Sequence, residues 1–202
     1  MDAGSATRQL LLRRGLNLEY TTLGWNVIAV PILLITAAGA GSVALAGFGV
    51  DSLIEIIASA VVVWQLKGEQ GSQRERVALR IIAVAFLALA IYIVVQSAII
   101  LTSQAHPGHS MLGIVWLALT VAAMLALAAG KRDTGRRLGN RVLQTESRVT
   151  LIDGALAGAV LAGLILNAVL GWWWADPVAG FVIVFYGFKE GWEALHHDPA
   201  HM

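Results

Sequence analysis

Long uncharged apolar runs dominate this chain, separated by short polar or glycine-marked connections. A soluble core helix stays apolar for ~10 to 14 residues, whereas these runs reach the roughly 20 needed to cross ~30 Å of hydrocarbon. The pattern predicts six transmembrane helices near 20–44, 47–67, 77–102, 111–130, 146–170 and 174–194. Pro31 lies in the first and predicts a kink there. Gly39, Gly41, Gly47 and Gly49 surround the first turn, His106-Pro107-Gly108-His109 forms the second outer turn, and Gly171 marks the third.

Composition agrees with this reading. The chain has 202 residues, 57% hydrophobic and only 13% charged, against roughly 25% charged in a soluble domain; its mean hydropathy is +0.72. The spans and their connections use nearly the whole length, so the expected class is an all-α polytopic membrane protein. A cytoplasmic N-terminal segment (1–18) should precede one transport-sized membrane domain (19–195), with a short His-containing tail (196–202) after it. The basic N-terminus superficially suggests a signal peptide, but the apolar stretch after it is too long and no cleavage site follows, so it should be retained as the first helix. The chain has no cysteine, which excludes a disulfide framework, a thiolate metal site and a thiol nucleophile. Any metal must meet oxygen or imidazole.

Charge distribution sets the expected orientation. All 14 Lys and Arg residues fall on one side of the six-span pattern: three in the N-terminal segment, four around the second-to-third connection, six from Lys131 to Arg148, and Lys189. The positive-inside rule then puts both termini and the two basic loops in the cytoplasm, and a bacterial inner membrane is the expected location. The net charge of +1 gives no reason to expect nucleic acid as a partner. Trp172, Trp173 and Trp174 suit the headgroup region at the outer end of the last hairpin. Gly154 and Gly158 form a small-xxx-small pair that lets a neighbouring helix approach closely.

Charged residues inside apolar spans are costly, at least ~2.5 kcal/mol each at the bilayer centre, and are therefore functional candidates. Asp51 and Glu55 stand four residues apart on one face of the second span. Two carboxylates looking into one space should share protons or hold a cation between them. Capping of the helix N-terminus would explain Asp51 but not Glu55, one turn deeper. On the fifth span Glu146, Thr150 and Asp153 share a face at i, i+4 and i+7. Asp153 has a structural alternative, a hydrogen bond to Asn26 or Gln96, and Glu146 has one in an interfacial ion pair with Arg148. Asp176 before Pro177 reads as the cap of the sixth helix. His196 and His197, with His201, form an imidazole cluster that could collect metal at the cytoplasmic face; His106 and His109 invite an exit-side reading beside the simpler one of a solvated turn.

The run Ser42-Val43-Ala44-Leu45 followed by Gly47-Phe48-Gly49-Val50-Asp51-Ser52-Leu53-Ile54-Glu55, together with Gly171-Trp172-Trp173-Trp174-Ala175-Asp176-Pro177, resembles the transmembrane domain of the cation diffusion facilitator family. The resemblance covers about residues 16–195. It implies six helices with cytoplasmic termini and a tetrahedral divalent-cation site between the second and fifth helices, with export driven by proton exchange. The acidic pair on the second helix looks like Asp51 and Glu55. The fifth helix of the family carries His or Asp, three residues, then Asp; Asp153 is similar to that last Asp, but Val149 stands four positions earlier, and a one-residue shift offers Thr150. The resemblance makes Zn(II) the first expectation, but without imidazole the site would be oxygen-only and harder in ligand preference, which leaves Cd, Fe(II), Mn(II) and Co(II) open beside it. The group that titrates near neutrality, at ~6.5, is also missing. Members of the family commonly continue into a cytoplasmic metal-binding domain; here about ten residues follow the last span, so regulation through such a domain is not expected and a homodimer would rest on helix contacts.

The sequence thus predicts a divalent-cation transporter using Asp51, Glu55 and Asp153, with protons and the lipid bilayer as its other partners and no cofactor beyond the transported ion. A non-transporting membrane scaffold or metal sensor of the same fold is the alternative. An enzyme is not expected, since no nucleophile has a base at useful spacing.

Overall fold

The computed structural model describes residues 3–40, 42–68, 72–103, 110–172, 174 and 188. These residues form five long helices: α1 (Ala3–Ala40), α2 (Val43–Lys67), α3 (Ser72–Ser103), α4 (Met111–Leu138) and α5 (Arg141–Leu170). Each is long and apolar enough to cross a membrane, and a lone helix in lipid satisfies its own backbone hydrogen bonds. The protein is therefore an all-α, multi-pass membrane protein. The sixth helix expected at 174–194, with Asp176 as its cap, lies outside the described residues, as do His106, His109, His196, His197 and His201.

The helix starts are written locally. Ser42, Ser110 and Asn140 are the N-caps of α2, α4 and α5, their side chains accepting the backbone N–H of Leu45, Gly113 and Leu143. Gly171 closes α5 in the left-handed region at φ 70°, where a Cβ is unfavourable.

Two boundaries differ from the apolar pattern. Helix α1 begins at Ala3, so the basic N-terminal stretch is continuous with the first span, and Pro31 lies inside it. The basic stretch from 131 to 148 is also helical except at one tight reversal. Helix α4 runs on to Leu138, Gly139 takes φ 63°, Asn140 caps the next helix, and α5 starts at Arg141. Apolar length marks where hydrocarbon ends; hydrogen bonding and capping mark where a helix ends, and the two are separated by about two turns at the end of α4 and by nearly five at the start of α1.

Helix α4 packs most extensively on α5, and α1 on α2; α2 also meets α3 and α5, and α1 meets α4. The approach of α4 to α5 is close at Gly154, where a Cβ would lie 3.0 Å from that of Met124, which is how the small residue is used. Trp25 on α1 stacks on Trp116 of α4, with ring centroids 5.1 Å apart, and its indole N–H donates to Thr120 Oγ1 at 3.2 Å. Outward faces are apolar: Val27, Ile28 and Ile35 on α1 and Val84, Ile91 and Val95 on α3 are exposed, as a lipid-facing surface requires. The buried charged residues Glu19, Asp51, Glu55, Lys131, Glu146 and Asp153 point the other way, into the bundle.

Candidate functional site

Helices α2 and α5 run in opposite directions, so residues at helical spacing on their facing sides pair in successive tiers. Asp51 and Asp153 bring their carboxyls together in the outermost tier, the one nearest the start of α2. One turn further along α2, Glu55 Oε1 accepts a hydrogen bond from Thr150 Oγ1 at 2.7 Å. One turn beyond that, Ser59 Oγ donates to Glu146 Oε1 at 3.2 Å. The spacings 51, 55, 59 and 153, 150, 146 are the i, i+4 and i, i+3 steps of two facing helix stripes.

All of this is out of contact with solvent. Asp51, Glu55 and Asp153 are each 1% exposed, and Thr150 and Glu146 are fully buried. Among the described residues, Asp51 Oδ2, Glu55 Oε2 and both carboxylate oxygens of Asp153 have no hydrogen-bond donor. Buried oxygens without a donor are costly. A proton or a cation between the helices removes that cost, so the donor set suits a positively charged substrate. No three acidic or histidine side chains among the described residues converge as the ligands of one metal would; the candidates stand in tiers along the helix pair.

The innermost tier carries its own cation. Lys131 on α4 is fully buried, with Nζ 2.5 Å from Glu146 Oε1, 3.0 Å from Thr150 Oγ1 and 3.1 Å from Glu19 Oε2 on α1. An ammonium has three protons, and here three oxygens from two neighbouring helices stand around it. Thr150 receives Lys131 and has one hydrogen of its own. Its 2.7 Å contact to Glu55 is shorter than the 3.1 Å contact to Glu146, which links the inner tier to the middle one.

The sequence-derived residues Asp51, Glu55, Thr150, Asp153 and Glu146 are thus all brought to one buried seam. Three expectations are corrected. Glu146 pairs with Lys131 inside the bundle, not with Arg148 at the interface, because Glu146 faces α4 and α1. Lys131, counted with the loop charges, is an interior residue, because α4 continues past it. Asn26 and Gln96 are not partners of Asp153: Asn26 donates to Thr22 O at 3.1 Å and Gln96 to Tyr92 Oη at 2.8 Å. Glu19, Ser59 and Lys131 were missed. The Gly139-Asn140 pair was the signal available, since a left-handed closure followed by a capping residue places the reversal eight positions after Lys131.

Residues 21–197 match the model of a cation efflux transmembrane domain. A comparison with curated proteins gives no match.

Proposed function

The chain belongs to the cation efflux family, and from that premise we propose that it exports Zn(II) or a similar divalent transition metal from the cytoplasm in exchange for protons. The observation that carries the reading is the set of buried, donorless carboxylate oxygens of Asp51, Glu55 and Asp153 on two facing helices. In this reading Asp51 and Asp153 hold the ion from opposite sides and Glu55 reaches it from one turn deeper. Small shifts of α2 against α5 close the tiers around the substrate, and rocking of the bundle opens them to either face. Metal binding displaces protons from the carboxylates; protons arriving from the other side displace the metal. With Val149 where imidazole would sit, the ligand set is oxygen-only, and Cd, Fe(II), Mn(II) and Co(II) belong in the same trial.

The basic ends of the helices support cytoplasmic termini, and a bacterial inner membrane suits the assignment. His196 and His197 would lie on the metal-loading side.

The test uses purified protein in liposomes with an imposed pH gradient and a panel of divalent ions. Wild type should accumulate metal against a proton gradient, and apparent affinity should weaken as pH falls, because the ligands must be deprotonated to bind. Metal binding without flux would favour the scaffold or sensor reading; equal flux in Asp51→Ala and Asp153→Ala would move the site elsewhere.

A further inference from the structure

The inner tier has the composition of a cation site. Two buried carboxylates, Glu19 and Glu146, arrive from α1 and α5, and two buried hydroxyls, Ser59 and Thr150, arrive from α2 and α5. A positive group stands among them, the Lys131 ammonium, with three oxygens within 3.1 Å. Even so, Glu19 Oε1 and Glu146 Oε2 are buried without a donor, so the cluster has more acceptor capacity than the lysine uses. Exposure and solvation do not account for the arrangement, since Lys131, Glu19, Glu146 and Thr150 are all fully buried.

We propose that Glu19, Glu146, Ser59 and Thr150 form a second divalent-cation position, which Lys131 fills as a tethered cation and so keeps closed to metal. It rests on the transport reading only in taking Asp51, Glu55 and Asp153 as the substrate ligands. The lysine then determines occupancy. With it in place the inner carboxylates are neutralised from within, and a metal entering the seam is confined to the outer tiers. Without it, two carboxylates and two hydroxyls remain around a volume vacated by an ammonium. Hard oxygen donors of that kind suit Mn(II).

The experiment counts bound ions on the whole protein in detergent, with Zn(II) and Mn(II) as separate probes. Wild type should bind one Zn(II), lost in Asp51→Ala, and the Asp51→Ala protein should bind no Mn(II). Adding Lys131→Ala to Asp51→Ala should create one Mn(II) site, and adding Glu146→Gln to that pair should abolish it. Lys131→Arg, which keeps the charge, should create none. Where Lys131→Ala does not fold in metal-free buffer, recovery of the folded protein by Mn(II), reversed by chelation, is the expected result. The proposal is overturned if the Lys131→Ala chain stays unfolded or unbound in saturating Mn(II). It is equally overturned if the Mn(II) site gained with Lys131→Ala survives Glu146→Gln, or if Mn(II) binding that Glu146→Gln abolishes is already present with Lys131 in place. Mn(II) binding that is present with Lys131 and insensitive to Glu146→Gln is subtracted as belonging to the outer tier. Retention of Zn(II) by Asp51→Ala counts against the transport site alone, because the Mn(II) measurements decide the inner tier independently.

Discussion

The outer and inner tiers of the α2–α5 seam are built from the same material and differ in one respect. Both bring buried carboxylates together from separate helices, Asp51 with Asp153 in one and Glu19 with Glu146 in the other. The inner tier has Lys131 among its oxygens; the outer has no basic side chain bonded to it among the described residues. Low dielectric forbids leaving such charges alone. A protein can satisfy them permanently with its own cation, which produces structure, or leave the balance to protons and a passing ion, which permits transport. In the proposed reading the neighbouring tiers take one course each, and Thr150, bonded to Lys131 and to Glu55, stands between them.

The sharpest way to break the contrast is to remove an outer carboxylate. Asp51→Ala or Asp153→Ala should lower metal flux in liposomes by on the order of 100-fold or more, since even groups that only orient metal ligands are worth ~10–100-fold. Thermal stability in detergent should hold or rise, because a like-charged buried partner has gone. Lys131→Met should do the reverse in kind, lowering unfolding stability in metal-free buffer by about 3–5 kcal/mol, the usual cost of stripping one partner from a buried ion pair. Denaturant titration checks it. Thr150→Val removes the hydroxyl that joins the tiers and should cost roughly 1 kcal/mol of stability together with a several-fold weaker apparent metal affinity, read by calorimetry. Least of all should come from Arg14→Ala. That residue pairs with Asp133 at 3.0 Å between α1 and α4, as Lys131 pairs with Glu19, but both partners are nearly half exposed. An exposed pair is worth ~0–1 kcal/mol, so a large loss here would mean that burial is not what separates the two ion pairs.

How legible this was in the sequence follows from where each residue falls relative to the apolar runs. Asp51, Glu55 and Asp153 interrupt such runs, so a charge in hydrocarbon could be recognised without coordinates. Glu19 and Lys131 stand at the margins, Glu19 just before the first run and Lys131 just after the fourth, with Arg132 beside it. Hydropathy assigns marginal charges to water. The helices, however, continue past the runs, and their inner turns pack against each other well before the chain turns back at Gly139. Helix direction was legible for the same reason as the spans; the tier-by-tier pairing of α2 with α5 was not, because register between two helices depends on packing and not on either sequence alone. The closeness of α4 to α5 could be read from Gly154, but not that its consequence is a lysine aimed across the seam.

The stacked pair Trp25 and Trp116 joins the same two helices as Glu19 and Lys131. Indoles in contact alter each other's emission, so in a variant keeping only these two of the seven tryptophans the fluorescence would report the separation of α1 from α4. Because the chain has no cysteine, one cysteine introduced at a chosen exposed position would take a thiol-reactive acceptor dye with no background labelling. With the other tryptophans replaced, such a pair of probes would let opening and closing of the bundle be followed in real time.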